Sequence, residues 1–133
     1  MKHLSLIMLC LLFAFFGTDA AAADGKSIYA EHCAACHGAN LEGETVDWRT
    51  RDAEGYLPAP PHDASGHTWH HADDQLFYIT KHGIKAIAPP GYKSRMIGFG
   101  DTLSDNDIWA VLTFIKRSWP EREQAQQRRV SGQ

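Results

Sequence analysis

Cys33, Cys36 and His37 stand together in the stretch Cys33-Ala34-Ala35-Cys36-His37. Two thiols three positions apart and an adjacent imidazole suit three kinds of chemistry. They can close a disulfide or exchange one, they can ligate zinc, or they can hold a porphyrin, because C-x-x-C-H is the attachment signature of a c-type haem. The spacing has a physical reason. On a helix, residues i and i+3 share a face, so both thiols can reach the two vinyl groups on one side of the ring. His37, at the end of that helix, can then turn its imidazole onto the iron.

The rival readings need more than the motif supplies. A redox-active pair requires a strand leading into a helix, and no such context precedes Cys33. A zinc site needs two further ligands, and His62, His67, His70 and His71 crowd the following segment. Those histidines also suit copper. They keep open a non-haem Cys/His metal-binding module, or a second metal beside a haem.

A haem iron bound by His37 has a sixth position to fill. Met96 is the only methionine beyond Met1 and Met8, and it lies in a loop just before the last apolar helix. A lone methionine ordinarily fills a gap in a core. Next to C-x-x-C-H it reads as the second axial ligand, whose thioether favours ferrous iron and raises the reduction potential. His82 or a loop histidine in its place gives a bis-His iron of lower potential. With both axial positions held by protein, no small-molecule substrate meets the iron. The chemistry is then outer-sphere transfer of single electrons, and the chain is not itself an enzyme. A labile Met96 would instead make a ligand-binding or catalytic haem protein.

These residues need elements to position them. The first 23 residues read as a cleaved secretory signal, with Lys2 ahead of the apolar run Leu4–Phe16 and small residues at Ala20–Ala23. That run is shorter than the roughly 20 residues a membrane span requires, so retention as an anchor is the lesser alternative. Cleavage removes Cys10 and Met8. Export implies a periplasmic location and leaves about 110 residues, one domain over 24–120 with a polar tail over 121–133. A net charge of −3 lacks the basic stripe a nucleic-acid surface requires.

Asp24 can cap a helix that carries Gly25, Tyr29, Cys33 and Cys36 on one face and stops at Gly38. A second helix is expected from about Ala72 to His82, ending at Gly83. The last is marked by Ser104 as N-cap, by Leu103 stapled onto Ile108, and by Ile108, Val111, Leu112 and Ile115 at helical spacing until Pro120. No stretch alternates as a strand does, so the fold is all-α. Between the first two helices lies a Gly- and Pro-rich segment too long for an ordinary loop in so small a domain, unless it wraps something large and apolar. The tail 121–133 reads as a solvated helix extension or disorder.

C-x-x-C-H, Met96 in a loop, and Leu103-Ser104-Asp105 opening a terminal helix resemble a class I monohaem bacterial cytochrome c over the whole chain beyond the signal. The resemblance implies a fold of about three to four helices around one covalently attached haem c. It implies thioethers at Cys33 and Cys36 and axial ligation by His37 and Met96. It also implies that Gly25 and Tyr29 of the first helix pack on Phe114 of the last, beside Val111. A proline carbonyl should accept the hydrogen bond of His37 Nδ1, with Pro58, Pro60 and Pro61 all candidates. The implied partners are redox proteins, a donor and an acceptor, among them a membrane respiratory complex.

Two features depart from the family pattern. Ile97 and Gly98 follow Met96 where many relatives carry proline, which leaves the ligand loop less restrained. The insertion from Gly38 to Trp69 is longer than in the shortest members. Trp48, Tyr56, Leu57, Trp69, Phe77, Ile79 and Phe99 are the expected apolar walls. Lys81, Lys85, Lys93 and Arg95 could steer an acidic partner or be ordinary solvated cations.

Overall fold

A computed structural model describes residues 24–133. The expected signal sequence, with Met8 and Cys10, lies outside the described residues. Asp24 caps helix α1 (Gly25–His32) by accepting the Lys26 amide at 3.5 Å. The expected single helix through both cysteines is interrupted by a turn at Cys33, whose φ of −118° departs from the regular helical value of about −63°. Helix α2 (Ala34–His37) resumes at once. The Cys33 carbonyl accepts the amides of Cys36 and His37 at 3.1 and 2.9 Å, so the two thiols still share one helical turn.

Helix α3 (Asp73–His82) begins with two acidic residues and ends in Lys81 and His82, both favourable to its dipole. Helix α4 (Asp105–Arg117) opens on a capping box in which Ser104 Oγ accepts the Asp107 amide and Asp107 Oδ2 accepts the Ser104 amide. Its Ile108, Val111, Leu112 and Ile115 are buried as the spacing requires, with Leu103 buried beside them. Burying each of these side chains is worth about 1.5–3 kcal/mol. No strand occurs among the described residues, and the domain is all-α, with five α-helices.

The core is built where α1 crosses α4, and α3 packs against α4 beside that crossing. Gly25 permits the approach. A Cβ there would run into the Ala110 carbonyl, so only a residue without one lets the two backbones meet. The Tyr29 ring then lies 5.5 Å from that of Phe114, with Val111 almost fully buried.

Residues 121–133, expected as a solvated helix extension or disorder, form a helix, but one that is docked on the domain. Pro120 closes α4 but also serves as N-cap of helix α5 (Glu121–Val130). This helix packs on a 3-10 turn at Thr68–His70. Its anchor is Gln127, fully buried, whose Nε2 donates to Asp73 Oδ1 at 2.7 Å and to Ser131 Oγ at 2.9 Å. Trp119, also buried, donates its indole N–H to the His62 carbonyl at 2.7 Å. The helix carries no apolar stripe, so composition alone reads it as solvent-facing. Buried hydrogen bonds hold it instead.

The long segment from 38 to 69 is folded on itself rather than loose. Gly43 and Glu44 donate to His37 and Ala59 carbonyls at 2.7 and 2.9 Å, and the Leu41 carbonyl accepts the His62 amide at 2.8 Å. Leu41 is held at φ +69°, a strained position for a branched side chain. Its burial in the core keeps it there. Among the described residues, no helix is long and apolar enough to cross a membrane.

Candidate haem site

His37 is the most constrained of the expected site residues. It is buried at the end of α2, and its Nδ1 lies 2.8 Å from the Pro60 carbonyl oxygen. A carbonyl can only accept, so Nδ1 carries the proton and Nε2 keeps its lone pair. Among Pro58, Pro60 and Pro61, Pro60 supplies the contact. Burial lowers the pKa of His37, against the opposing influence of the Pro60 bond and Glu44. The imidazole is thereby kept neutral, the form in which it can ligate a metal.

The ring is held from its flank as well. His62 stacks on it with centroids 3.9 Å apart and planes at 22°, and His62 Nδ1 shares a 2.8 Å hydrogen bond with Thr68 Oγ1. Burial first, and then the neighbouring His37 and His67, push the His62 pKa well below its usual value. Tyr29 Oη donates to the Gly38 carbonyl at 2.8 Å, tying α1 to the end of the motif. Residue spacing gave no sign of the His62 stack.

Cys33 is half-buried and Cys36 exposed, both as free thiols. Burial, with Cys36 adding to it, pushes the Cys33 thiol up to about 11. A thiol held protonated is a poor exchange nucleophile, which argues against a redox-active pair. Met96 lies half-buried in the loop between α3 and α4. Its loop is seated on the end of α3, where Phe99 and Gly100 donate to the Thr80 and Lys81 carbonyls, each at 2.9 Å. Gly83, at φ +81°, lies directly against Gly98 and the Met96 carbonyl. Phe99 also meets His32 edge-on at 6.2 Å, which brings the Met96 loop against the residue preceding Cys33.

The histidines expected as a possible metal cluster are dispersed. His67 lies flat on Trp48 at 5.1 Å, His70 stacks on Trp69 at 3.7 Å, and His82 is exposed beside Tyr78. His67 and His71 meet edge-on at 5.2 Å. Among the described residues, no three His, Cys, Asp or Glu side chains gather as a metal ion would need. The expected apolar walls are likewise divided. Phe77 stacks on Trp109 at 4.6 Å, and Tyr56 lies under Arg95.

Three of the four cations expected at a docking face, Lys81, Arg95 and Lys93, are engaged locally. Lys81 pairs with Asp105 at 2.7 Å, Arg95 with Asp52 at 2.8 Å, and Lys93 donates to the Glu54 carbonyl at 2.6 Å.

These features fit a haem. Two unpaired thiols share a turn, and an oriented imidazole next to them has a free Nε2. Helices crossing at a glycine around a C-x-x-C-H turn define a covalent haem protein of the c type. The comparisons agree. The family model for cytochrome c matches residues 22–119, and the chain belongs to that family. It is a haem c electron-carrying protein.

The chain is 30% identical over 96 residues to the Cbb3-type cytochrome c oxidase subunit FixP of Azorhizobium caulinodans, covering 72% of this chain and 29% of that one. It is 31% identical over 93 residues to a thiosulfate dehydrogenase of Stutzerimonas stutzeri, covering 70% of this chain and 26% of that one. It thus spans less than a third of the length of these curated relatives. No solved structure matches it significantly.

Proposed function

We propose that this chain is a monohaem carrier of single electrons, with thioether attachment at Cys33 and Cys36 and axial ligation by His37 and Met96. The observation that carries this reading is the His37 Nδ1 contact with the Pro60 carbonyl. It leaves Nε2 available and holds the ring in one orientation, which also raises its basicity as a ligand. Met96 is the only thioether among the described residues, and its loop is seated against α3 and His32.

Bound haem supplies a reversible one-electron change at iron. The protein residues do the rest. His37 would offer a nitrogen ligand and Met96 a soft sulfur that favours the reduced state, and an iron held by both would have no site for a substrate. The chain is on this reading not an enzyme in itself. Its relatives carry the names of an oxidase subunit and a dehydrogenase, which supports electron exchange with redox proteins, either freely or as part of an oxidoreductase complex. Residues 1–23 support export to the periplasm.

The test is an optical spectrum of protein matured in a host with haem-attachment machinery. The reduced form should show sharp c-type bands, and the ferric form should show the weak near-infrared band of sulfur ligation, absent from Met96→Ala. Ferrous protein should not bind carbon monoxide. Haem bands without the sulfur band, or ready carbon monoxide binding, would replace this reading with a histidine-ligated or open-site haem.

A further inference from the structure

The insertion between the first motif and α3 touches both His37 and the loop that carries Met96. At one end Pro60 holds His37. At the other, the turn from Arg51 to Tyr56 grips the residues just before Met96. The turn is closed on itself, since Asp52 Oδ1 accepts the Tyr56 amide at 2.8 Å and the Asp52 amide donates to the Tyr56 carbonyl at 2.8 Å.

From this closed turn, contacts run outward to the Met96 loop. Asp52 Oδ2 accepts Arg95 Nη2 at 2.8 Å, and the Arg95 guanidinium lies 4.0 Å over the Tyr56 ring. Lys93 Nζ donates to the Glu54 carbonyl at 2.6 Å and lies 5.8 Å from the centre of the same ring. Arg51 donates to the Gly55 carbonyl at 2.7 Å, with its guanidinium 5.2 Å over Tyr92. On the far side of Met96 the loop is fixed by Phe99 and Gly100 on the end of α3. Met96 is therefore suspended between two anchorages, while its neighbour Ile97 is 67% exposed.

We propose that the Asp52–Tyr56 turn is a clasp that holds the Met96 loop closed and governs how readily an external ligand displaces Met96. The proposal rests on the His37/Met96 reading above. It assigns Asp52 and Tyr56 as positioning residues, acting on the iron through Arg95 and Met96. An exposed ion pair alone contributes little. Here the pair, the ring contact and the lysine bond meet on neighbouring residues, so opening the loop breaks them together.

The test uses the ferric holoprotein, titrated with imidazole while the near-infrared sulfur band is followed. Asp52→Asn and Tyr56→Leu should each lower the imidazole concentration at half-displacement about threefold, and the double variant about tenfold. Displacement rates should rise in parallel. Tyr56→Phe keeps the ring face and should behave as wild type, as should Lys85→Gln, which lies outside the clasp. If the double variant does not fold, Lys93→Met provides the same comparison. Equal half-displacement concentrations and rates in wild type and clasp variants overturn the clasp alone. A wild-type protein with no sulfur band overturns the ligation reading and the clasp with it.

Discussion

The imidazole of His62 lies face to face on that of His37, 3.9 Å between centroids. It also seals the ring that Pro60 orients. His62→Ala should admit water beside the His37–Pro60 bond, which stabilises the more positively charged ferric state. The reduction potential should fall by on the order of 20–60 mV, up to a tenfold change in a one-electron equilibrium. Protein-film voltammetry would read it. An unchanged potential with a lowered melting temperature would reduce His62 to a packing residue.

Gly25 has no room for a side chain against the Ala110 carbonyl. Gly25→Ala should therefore push α1 off α4. Overpacking of this kind costs about 1–3 kcal/mol, which for a domain of this size lowers Tm by about 5–15 °C. Circular dichroism during heating would measure it. A Tm within about 2 °C of wild type would contradict the close crossing.

Gln127 ties α5 to Asp73 and Ser131 from a fully buried position. Gln127→Ala should cost about 1–3 kcal/mol, because its partners lose a buried donor. Hydrogen exchange should accelerate in residues 62–73, the segment that α5 and Trp119 hold. Acceleration confined to α5 would show that the helix does not restrain that segment.

Asp73 has its carboxyl held below the usual range. Burial works against this, but Lys116, Gln127 and Gln133 outweigh it. Because its folded pKa is depressed, its contribution to stability is fully present above the unfolded value near ~3.9. That contribution declines as pH falls below this value and is lost once pH drops through the folded pKa. Wild type should therefore melt above Asp73→Asn at neutral pH, with the two curves converging as pH falls through the depressed folded pKa. A gap that does not narrow on acidification would place the difference in packing rather than charge.

The motif and the three principal helices could be read along the chain because each depends on local chemistry. The C-x-x-C-H spacing fits one helical turn, and the α3 and α4 caps rest on residues within a few positions of each helix end. Gly25 and Tyr29 could be matched to Phe114 through the family pattern. The sequence did not distinguish Pro60 from Pro58 and Pro61. That choice depends on where a carbonyl 23 positions away meets His37. Nor did it reveal that α5 is docked, since a helix held by Gln127 and Trp119 leaves no apolar periodicity to detect. The histidines are the clearest case. Their number left a shared metal open, and packing sends each to an aromatic or imidazole partner. Local composition determined what chemistry the chain could carry. Only the tertiary structure decided which distant groups orient His37, touch the Met96 loop and cover the core, because those contacts join residues whose separation along the chain carries no periodic signal.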